Sequence, residues 1–392
     1  MDVDEELEVA IIGGGICGLA TALALHRKGV RSVVLERSDS LRATGGGIGI
    51  LTNGWRALDQ LGVGSKLRPT SLPLQSVRDV TLGSSSSKER KTLVSDGEAR
   101  CLKRSDLVKA LADELPQSIV RFGCNIVSLK LDTLSSYPIL HLQTGSTIRA
   151  RVLIGCDGAN SVVADFLELK PKKVFTSCAV RAFTEYPNGH GLAPEFVRLR
   201  KGQILSGRVP VDNKLVFWFV SHQHYPKESR VVKDPELIRE LALEKINGFP
   251  TETVEMIRNC DLSTISLTQL RYCAPWDILL STFRKGTVTV AGDAMHAMGP
   301  FIGQGGSAAI EDAVVLARCL AGRLNSIQKV GEAMDEYVKE RRMRLFKMST
   351  QTYLFGLLLE NSSMLVKLIV LALFVVLFRD PIAHTRYDCG QL

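Results

Sequence analysis

Several features are scarce or absent in this chain of 392 residues. Aromatic residues make up only 6%, and no run of lysines and arginines is interleaved with them, so we expect no nucleic-acid partner despite a net charge of +8. The nine cysteines are scattered without a C-x-x-C pair, which favours a reduced compartment over a disulfide framework. His222 and His224 have no cluster of further ligands beside them, and we therefore predict no metal site.

The N-terminus has no apolar or Arg/Ser-rich leader, because the first six residues include Asp2, Asp4, Glu5 and Glu6. This absence predicts a cytoplasmic protein without a targeting segment. Hydrophobic content of 45% with 23% charged residues is typical of a globular protein rather than a disordered one. The excess of positive charge leaves two uses open, namely an acidic substrate and an acidic membrane surface.

Near the N-terminus an apolar strand runs into a glycine-rich turn and then a helix. The turn has the G-x-G-x-x-G pattern, formed by Gly13, Gly15 and Gly18. A second apolar run ends in Glu36 and Arg37, and Glu36 follows Gly18 by 18 residues. An acidic residue at about this spacing accepts a ribose hydroxyl in dinucleotide-binding folds, and it disfavours a 2′-phosphate. The segment therefore predicts a dinucleotide site that does not take NADP.

A second candidate segment lies between Val290 and Ala313. An apolar strand ends at Gly292 and Asp293, and a loop of small residues containing His296 leads to Pro300. A helix then opens on four small or polar residues, namely Gly303, Gln304, Gly305 and Gly306. Free amides at a helix N-terminus attract anionic groups, so this segment predicts a cradle for a polar, partly anionic flat ligand.

A third segment is a short strand followed by Asp157 and Gly158. Taken alone, Asp-Gly is a common turn. In this order, however, the three segments resemble the fingerprints of the FAD-dependent aromatic hydroxylase and epoxidase family, of the para-hydroxybenzoate hydroxylase type, and are most similar to the small plant FAD-dependent monooxygenases. The similarity spans roughly residues 8 to 345, and its flanking elements are Arg104, Arg271, Trp276, Tyr337 and Arg341.

The resemblance implies an enzyme, a flavoprotein that binds FAD and takes electrons transiently from NAD(P)H. In that family a flavin C4a-hydroperoxide hydroxylates a small aromatic or electron-rich compound with one atom of O2. Its implied cofactor residues here are Gly13, Gly15, Gly18, Glu36, Arg37, Arg104, Asp157, Gly158, Gly292, Asp293, Pro300, Gly303, Gln304, Gly305 and Gly306. Pro300 and His296 are flavin-proximal candidates, and no residue is assigned as catalytic. Arg42 and Gly45 to Gly49 lie where the family places a loop near the flavin.

The order of segments predicts an α/β fold in which a discontinuous, Rossmann-like FAD-binding domain carries an inserted β-rich substrate lobe and C-terminal helices. The predicted ranges are 1–75, 100–174 and 271–345 for the FAD-binding domain, 76–99 and 175–270 for the substrate lobe, and 346–392 for the C-terminal helical segment. Within the lobe, Phe217, Trp218 and Phe219 alternate along one strand, which directs one or two of them toward the pocket, and ordinary core packing stays open for each.

Two alternatives stay open at this point. Residues 364–378 are nearly all apolar but shorter than a membrane span, so they form a packed helix, a peripheral membrane contact, or a span or partner-binding helix. The activity is a hydroxylation, an epoxidation of an apolar isoprenoid-type substrate, or has lapsed in a non-catalytic flavin-binding protein. An NAD-dependent dehydrogenase would leave the Asp157 and Asp293 segments unexplained.

Overall fold

The computed structural model describes residues 3–41, 46–83, 86–94, 97–223, 234–359 and 363–392. In chain order the strands are β1 (Glu5–Ile12), β2 (Val33–Leu35), β3 (Gly47–Ile50), β4 (Ser76–Leu82), β5 (Ser87–Leu93), β6 (Arg100–Lys103), β7 (Val120–Arg121), β8 (Ile126–Leu131), β9 (Pro138–Leu142), β10 (Thr147–Gly155), β11 (Lys173–Glu185), β12 (Glu195–Lys201), β13 (Ile204–Pro210), β14 (Leu215–Gln223), β15 (Ser266–Tyr272), β16 (Arg284–Lys285) and β17 (Val288–Val290). The helices are α1 (Ile16–Arg27), α2 (Thr52–Gln60), α3 (Gly64–Leu67), α4 (Arg104–Ala112), α5 (Val162–Phe166), α6 (Pro235–Lys245), α7 (Thr251–Arg258), α8 (Pro275–Leu280), α9 (Asp293–His296), α10 (Gly305–Leu320), α11 (Ile327–Leu359) and α12 (Met364–Leu377).

The first sheet is parallel at its centre, in the order β17-β10-β1-β2-β7. Its central strands are apolar runs buried on both faces, as parallel strands covered by helices are. Helices α1 and α10 pack against each other and are buried along most of their length. This is the Rossmann-like α/β core that the sequence predicts.

The second sheet is largely antiparallel, in the order β15-β11-β14-β13-β12-β4-β5, with β4 and β12 parallel. Helices α6 and α7 cover one face, where Trp218 is fully buried. The alternation of strand residues directs Arg181 and Phe217 to the other face, which meets the small sheet formed by β3 and β6. The strands come from ranges close to those predicted for the substrate lobe, and the domain boundaries themselves stay a prediction.

The C-terminal part consists of the long helix α11 and the shorter α12. Residues Tyr337 and Arg341 of α11 are fully buried against α10 and β17. Most of α12 is exposed, and only Val370 is buried. Of the three interpretations of residues 364–378, a helix packed on the protein's own core is wrong for this reason. Within the described ranges, no helix is both long and apolar enough to span a bilayer.

Candidate functional site

The predicted site residues meet at one edge of the first sheet. Strands β1, β2, β10 and β17 are neighbours and run in the same direction, so their carboxyl ends lie side by side. Directly after these ends come Gly13, Glu36, Asp157 and Asp293, respectively within three residues of each strand. In open parallel sheets this edge is where ligands bind.

The turn after β1 requires glycine at two positions because the backbone is packed tightly. A Cβ on Gly13, which has φ +100°, would lie 2.7 Å from the Cys156 carbonyl oxygen. A Cβ on Gly18 would lie 1.9 Å from the Gly13 oxygen. Gly15 differs, since the nearest atom to a Cβ there is Nη2 of Arg104 at 3.9 Å. Gly15 also precedes the first residue of α1, so the N-terminus of α1 is open to a ligand.

Glu36 is buried at the end of β2, with 6% of its surface exposed. One carboxylate oxygen accepts a hydrogen bond from the Gly14 amide at 2.6 Å, and the other accepts from the Ser38 amide at 2.9 Å. These bonds fix the carboxylate against the glycine turn. Arg37, by contrast, is exposed.

A cleft opens between the ends of β1, β2 and β10. It is lined by Ile12, Gly13, Leu35, Glu36, Arg37, Cys124, Asn125, Ile126, Asp157, Asn160 and Val162. Asp157 Oδ2 accepts from the Val162 amide at 2.8 Å, whereas Oδ1 is buried and has no hydrogen-bond partner within the described residues. Burial raises the pKa of this carboxyl group. A buried acceptor without a donor suits a ligand hydroxyl or a bound water.

The loop after β17 combines exposed and buried groups. Asp293 and Pro300 are exposed, whereas His296 is completely buried. His296 Nε2 lies 2.5 Å from Asp312 Oδ2, and the Gly292 amide donates to the same oxygen at 2.9 Å. Asp293 and Pro300 are therefore both at the surface of this loop, whereas His296 lies beneath it, in contact with Asp312 of α10.

Asp312 belongs to a buried network of charges that joins α10 to α11. Arg341 Nε donates to Asp312 Oδ1 at 2.7 Å, and its Nη2 lies 2.7 Å from Glu311 Oε2. Although burial alone would raise the pKa of Asp312, His296 and Arg341 hold it well below its usual range. The network anchors the loop after β17, because Asp312 binds its backbone directly.

The N-terminus of α10 directly follows this loop, and the Gly303 amide donates to the Pro300 carbonyl at 3.1 Å. The helix begins at Gly305, and a Cβ added at Gly303 or Gly305 would meet no atom within 4 Å. The first amides of a helix have no partner inside it, so they are available to a ligand. Gln304 is fully buried, and its side chain is therefore structural.

Sequence reasoning missed Asn53, which holds this helix terminus in place. Asn53 Nδ2 donates to Gln304 Oε1 at 2.7 Å and to Glu311 Oε1 at 2.6 Å. Gln304 Nε2 donates back to Asn53 Oδ1 at 3.2 Å. No sequence signal marks this residue, because Asn at the start of a helix is ordinary.

Sequence reasoning also missed Arg181, on the face of the second sheet that meets β3 and β6. Its guanidinium donates to Thr268 Oγ1 at 2.9 Å, and burial lowers its pKa, with Arg104 as a nearby like charge. No carboxylate pairs with Arg181 within the described part of the chain. Arg104 itself begins α4, and its backbone amide donates to the Gly46 carbonyl at 3.2 Å.

Some predicted residues lie elsewhere. Arg42, Gly45 and His224 fall outside the described residues. His222 is buried in the second sheet and contacts Cys178. Gly158, in contrast, follows Asp157 at the edge of the site, and a Cβ added there would meet no atom within 4 Å.

The residues present suit an extended dinucleotide. Two helix N-termini with open approaches, those of α1 and α10, can take a pyrophosphate and the polar edge of a flat ring. Asp157 Oδ1 and the exposed carboxylate of Asp293 can accept hydrogen bonds from the hydroxyl groups of such a ligand. FAD, with its hydroxyl-bearing chain between nucleotide and ring, has the functional groups that this arrangement requires.

Comparison with known proteins also indicates that this chain binds FAD. The sequence matches the FAD binding domain family over residues 6–352. Monooxygenase 1 of Arabidopsis thaliana is 51% identical, over 99% of this chain and 100% of that protein. Monooxygenase 2 of the same organism is 33% identical over 100% of both chains. Klebsiella pneumoniae HpxO, solved with FAD and uric acid, shares the fold with a TM-score of 0.80 at 21% identity, over 95% of this chain and 93% of that one.

The family match and the similarity to monooxygenases agree with the arrangement of the strand ends and the α10 N-terminus. They also confirm the predicted cofactor, FAD. The chain belongs to the FAD binding domain family and is a flavin-dependent monooxygenase of the aromatic-hydroxylase type.

Proposed function

We propose that this enzyme hydroxylates a small aromatic or otherwise electron-rich compound, with NAD(P)H and O2 as co-substrates. The observation that carries the proposal is that the candidate cofactor-binding residues Glu36, Gly13, Asp157 and Asp293 follow neighbouring parallel strands along one sheet edge. FAD, when bound and reduced, activates O2 and supplies one oxygen atom to the substrate. The protein must bind the cofactor, orient the substrate and exclude water.

At the nucleotide end, the open approach at Gly15 lets the N-terminus of α1 bind a pyrophosphate. Glu36 accepts the ribose hydroxyl, since its carboxylate is already oriented by Gly14 and Ser38. Arg37 and Arg104 lie beside these groups as cationic partners. Gly292 allows the turn that brings Asp293 to the chain linking the two halves of the cofactor.

At the ring end, the amides of Gly303 to Gly306 face the pyrimidine edge. A helix N-terminus carries partial positive charge, and it stabilises the negative charge that a flavin ring gains on reduction. Because Asn53 and Arg341 fix α10 from two sides, these donors need not reorganise during turnover. Pro300 is exposed beside them and would form part of the wall of the reaction site.

The substrate would lie between the Pro300 turn and the second sheet. Next to Pro300, Phe301 packs edge-on against Phe175 of β11 with ring centroids 5.3 Å apart, and Ala179 and Leu270 belong to the same apolar cluster. Farther along this sheet face lies Phe217, which contacts Gly46 and Gly47. Apolar walls on both sides support binding of a flat, apolar ring and exclusion of water.

For the cellular setting, we propose cytoplasmic residence with a peripheral membrane contact through residues 364–378. The exposed apolar surface of α12 also favours a second candidate activity, which is epoxidation of an apolar isoprenoid-type substrate. A protein that binds FAD without catalysing turnover is the remaining alternative.

The experiment is a screen of NAD(P)H oxidation by the FAD-loaded enzyme with phenols and isoprenoids, followed by product analysis. Oxidation that a phenol accelerates, with a hydroxylated product, supports the proposal. An epoxide from an isoprenoid supports the second candidate. FAD binding without stimulated turnover across both panels would contradict both activities. The same preparation stripped of FAD is the control for background oxidation.

A further inference from the structure

Helix α12 exposes an unusual amount of apolar surface. Ten of its fourteen residues are exposed large apolar side chains, among them Met364 at 73% and Val376 at 68%. Ordinary folded chains expose such residues singly, and a contiguous exposed apolar patch marks a contact surface. Within the described residues nothing covers this face, so α12 presents a contact surface.

The distribution of exposed residues around the helix indicates which kind of partner this is. Only one stripe faces the protein: Val370 is buried, and Phe374 packs on Phe355 of α11 with ring centroids 4.6 Å apart. At 3.6 residues per turn, the exposed apolar residues cover about two thirds of the circumference. A second protein would cover one further stripe, whereas lipid chains can surround the rest of the helix.

The length of α12 limits how it meets a bilayer. Fourteen residues extend for about 21 Å, which is less than the roughly 30 Å of a hydrocarbon core. Its N-terminus is capped by Ser363, whose hydroxyl accepts from the Val366 amide, and Ser363 itself is exposed. Such a helix enters one leaflet without crossing the membrane.

Cations lie at both ends of this apolar surface. Lys367 lines a cleft with Arg200, Gln203 and Leu359, where α12 meets the turn between β12 and β13. Arg379 follows the last turn of α12 and is exposed. In the part of the chain that the structure describes, Arg200, Lys367 and Arg379 form no ion pair. Unpaired cations beside inserted apolar side chains suit anionic lipid headgroups.

We propose that α12 docks this enzyme onto an anionic membrane surface by inserting into one leaflet, with Lys367, Arg379 and Arg200 binding headgroups. This extends the peripheral contact named above and does not depend on the flavin chemistry. Insertion accounts for the apolar surface, and headgroup binding accounts for the unpaired cations. The docked enzyme would sit beside apolar compounds dissolved in the bilayer.

The test is flotation of the full-length, FAD-loaded protein with vesicles of phosphatidylcholine alone or of equal parts phosphatidylcholine and phosphatidylserine. We expect binding to the mixed vesicles that weakens as salt is raised. The variant L368S/L371S/V375S should need about tenfold more lipid or more for half-maximal binding. The control L93S/L134S/L280S removes three leucines elsewhere that are even more exposed than the three α12 residues, and it should bind like the wild type.

The charge contribution is tested with K367Q/R379Q, compared with K88Q/R90Q on the exposed strand β5. We expect about fivefold weaker binding for each cation lost beside α12 and no change for the control. Far-UV circular dichroism and retained FAD show that each variant is folded.

Absence of wild-type binding to the mixed vesicles, or equal binding by the triple-serine variant, would overturn the proposal. A dimer in lipid-free solution that the triple-serine variant loses, without vesicle binding, would assign the surface to a second copy instead.

Discussion

Asn53 of α2 holds Gln304, the N-cap residue of α10, through two buried hydrogen bonds of 2.7 and 3.2 Å. The same amide donates to Glu311 at 2.6 Å, about two turns further along α10. One side chain thus connects the N-terminus of α10, which we propose to face the flavin, to the charged network beneath it. The position of the amides at this terminus depends on a residue in a different helix.

The first prediction follows from this contact. Asn53→Ala leaves the side-chain amide of Gln304 buried without its partner and removes one of the two donors to Glu311 Oε1, the other being Arg344. This loss should lower the free energy of unfolding by about 1–3 kcal/mol. Because the amides of α10 lose their anchor, bound FAD should also become easier to release and its reduction potential should fall. Urea unfolding, FAD titration and potentiometry measure these effects. Gln328→Ala removes an exposed hydrogen bond from a side-chain amide to Glu332, and it should change neither the stability, the FAD affinity nor the reduction potential.

The second prediction separates the two roles of glycine in the first turn. Gly18→Ala should prevent stable folding, because its Cβ would overlap the Gly13 carbonyl. Gly15→Ala has room for its Cβ in the chain itself and should change the free energy of unfolding by no more than about 1 kcal/mol. It should nevertheless weaken FAD binding more than tenfold, since the methyl group occupies the approach to the α1 amides. Normal FAD affinity in a folded Gly15→Ala protein would show that the pyrophosphate lies elsewhere.

The third prediction concerns pH. Burial, with repulsion from Arg344, lowers the pKa of His384 to about 4. The unfolded chain, with a histidine pKa near 6.5, binds a proton between these values while the folded chain does not, so stability is present above pH 6.5 and is lost as pH falls. His384→Gln should remove about 1–2 kcal/mol of the stability difference between pH 7.5 and pH 5, measured by urea unfolding. His26→Gln, at an exposed position, should leave the difference unchanged.

The fourth prediction uses Arg181, a half-buried cation on the substrate-facing sheet whose only hydrogen-bond acceptor within the described residues is Thr268. We expect it to bind an anionic substituent of the substrate. Arg181→Gln should weaken benzoate binding about tenfold or more, with little effect on benzamide, as followed by flavin absorbance. Arg90→Gln, an equal charge loss on exposed β5, is the control. Loss of FAD from Arg181→Gln would assign its anion to the cofactor.

The sequence predicts the cofactor and the fold because three local patterns mark the ends of strands, namely those at Gly13 to Glu36, at Asp157 and at Gly292–Asp293. It does not predict Asn53 or Arg181, because their partners, Gln304 and Thr268, are distant in the chain and no spacing rule links them. For the apolar run 364–378, the sequence alone does not distinguish a buried helix from one that contacts a membrane. Hydrophobicity alone predicts burial and membrane contact equally well, and only the packing of α11 and α12 separates them.

The central claim is that this enzyme transfers one atom of O2 to its substrate, and isotope labelling tests it most directly. The FAD-loaded enzyme is supplied with NAD(P)H, ¹⁸O2 and whichever compound stimulates NAD(P)H oxidation, and the product is analysed by mass spectrometry. Our account predicts a product that carries a single ¹⁸O atom, with none taken from water. Stimulated oxidation that yields only hydrogen peroxide and unlabelled compound would contradict it.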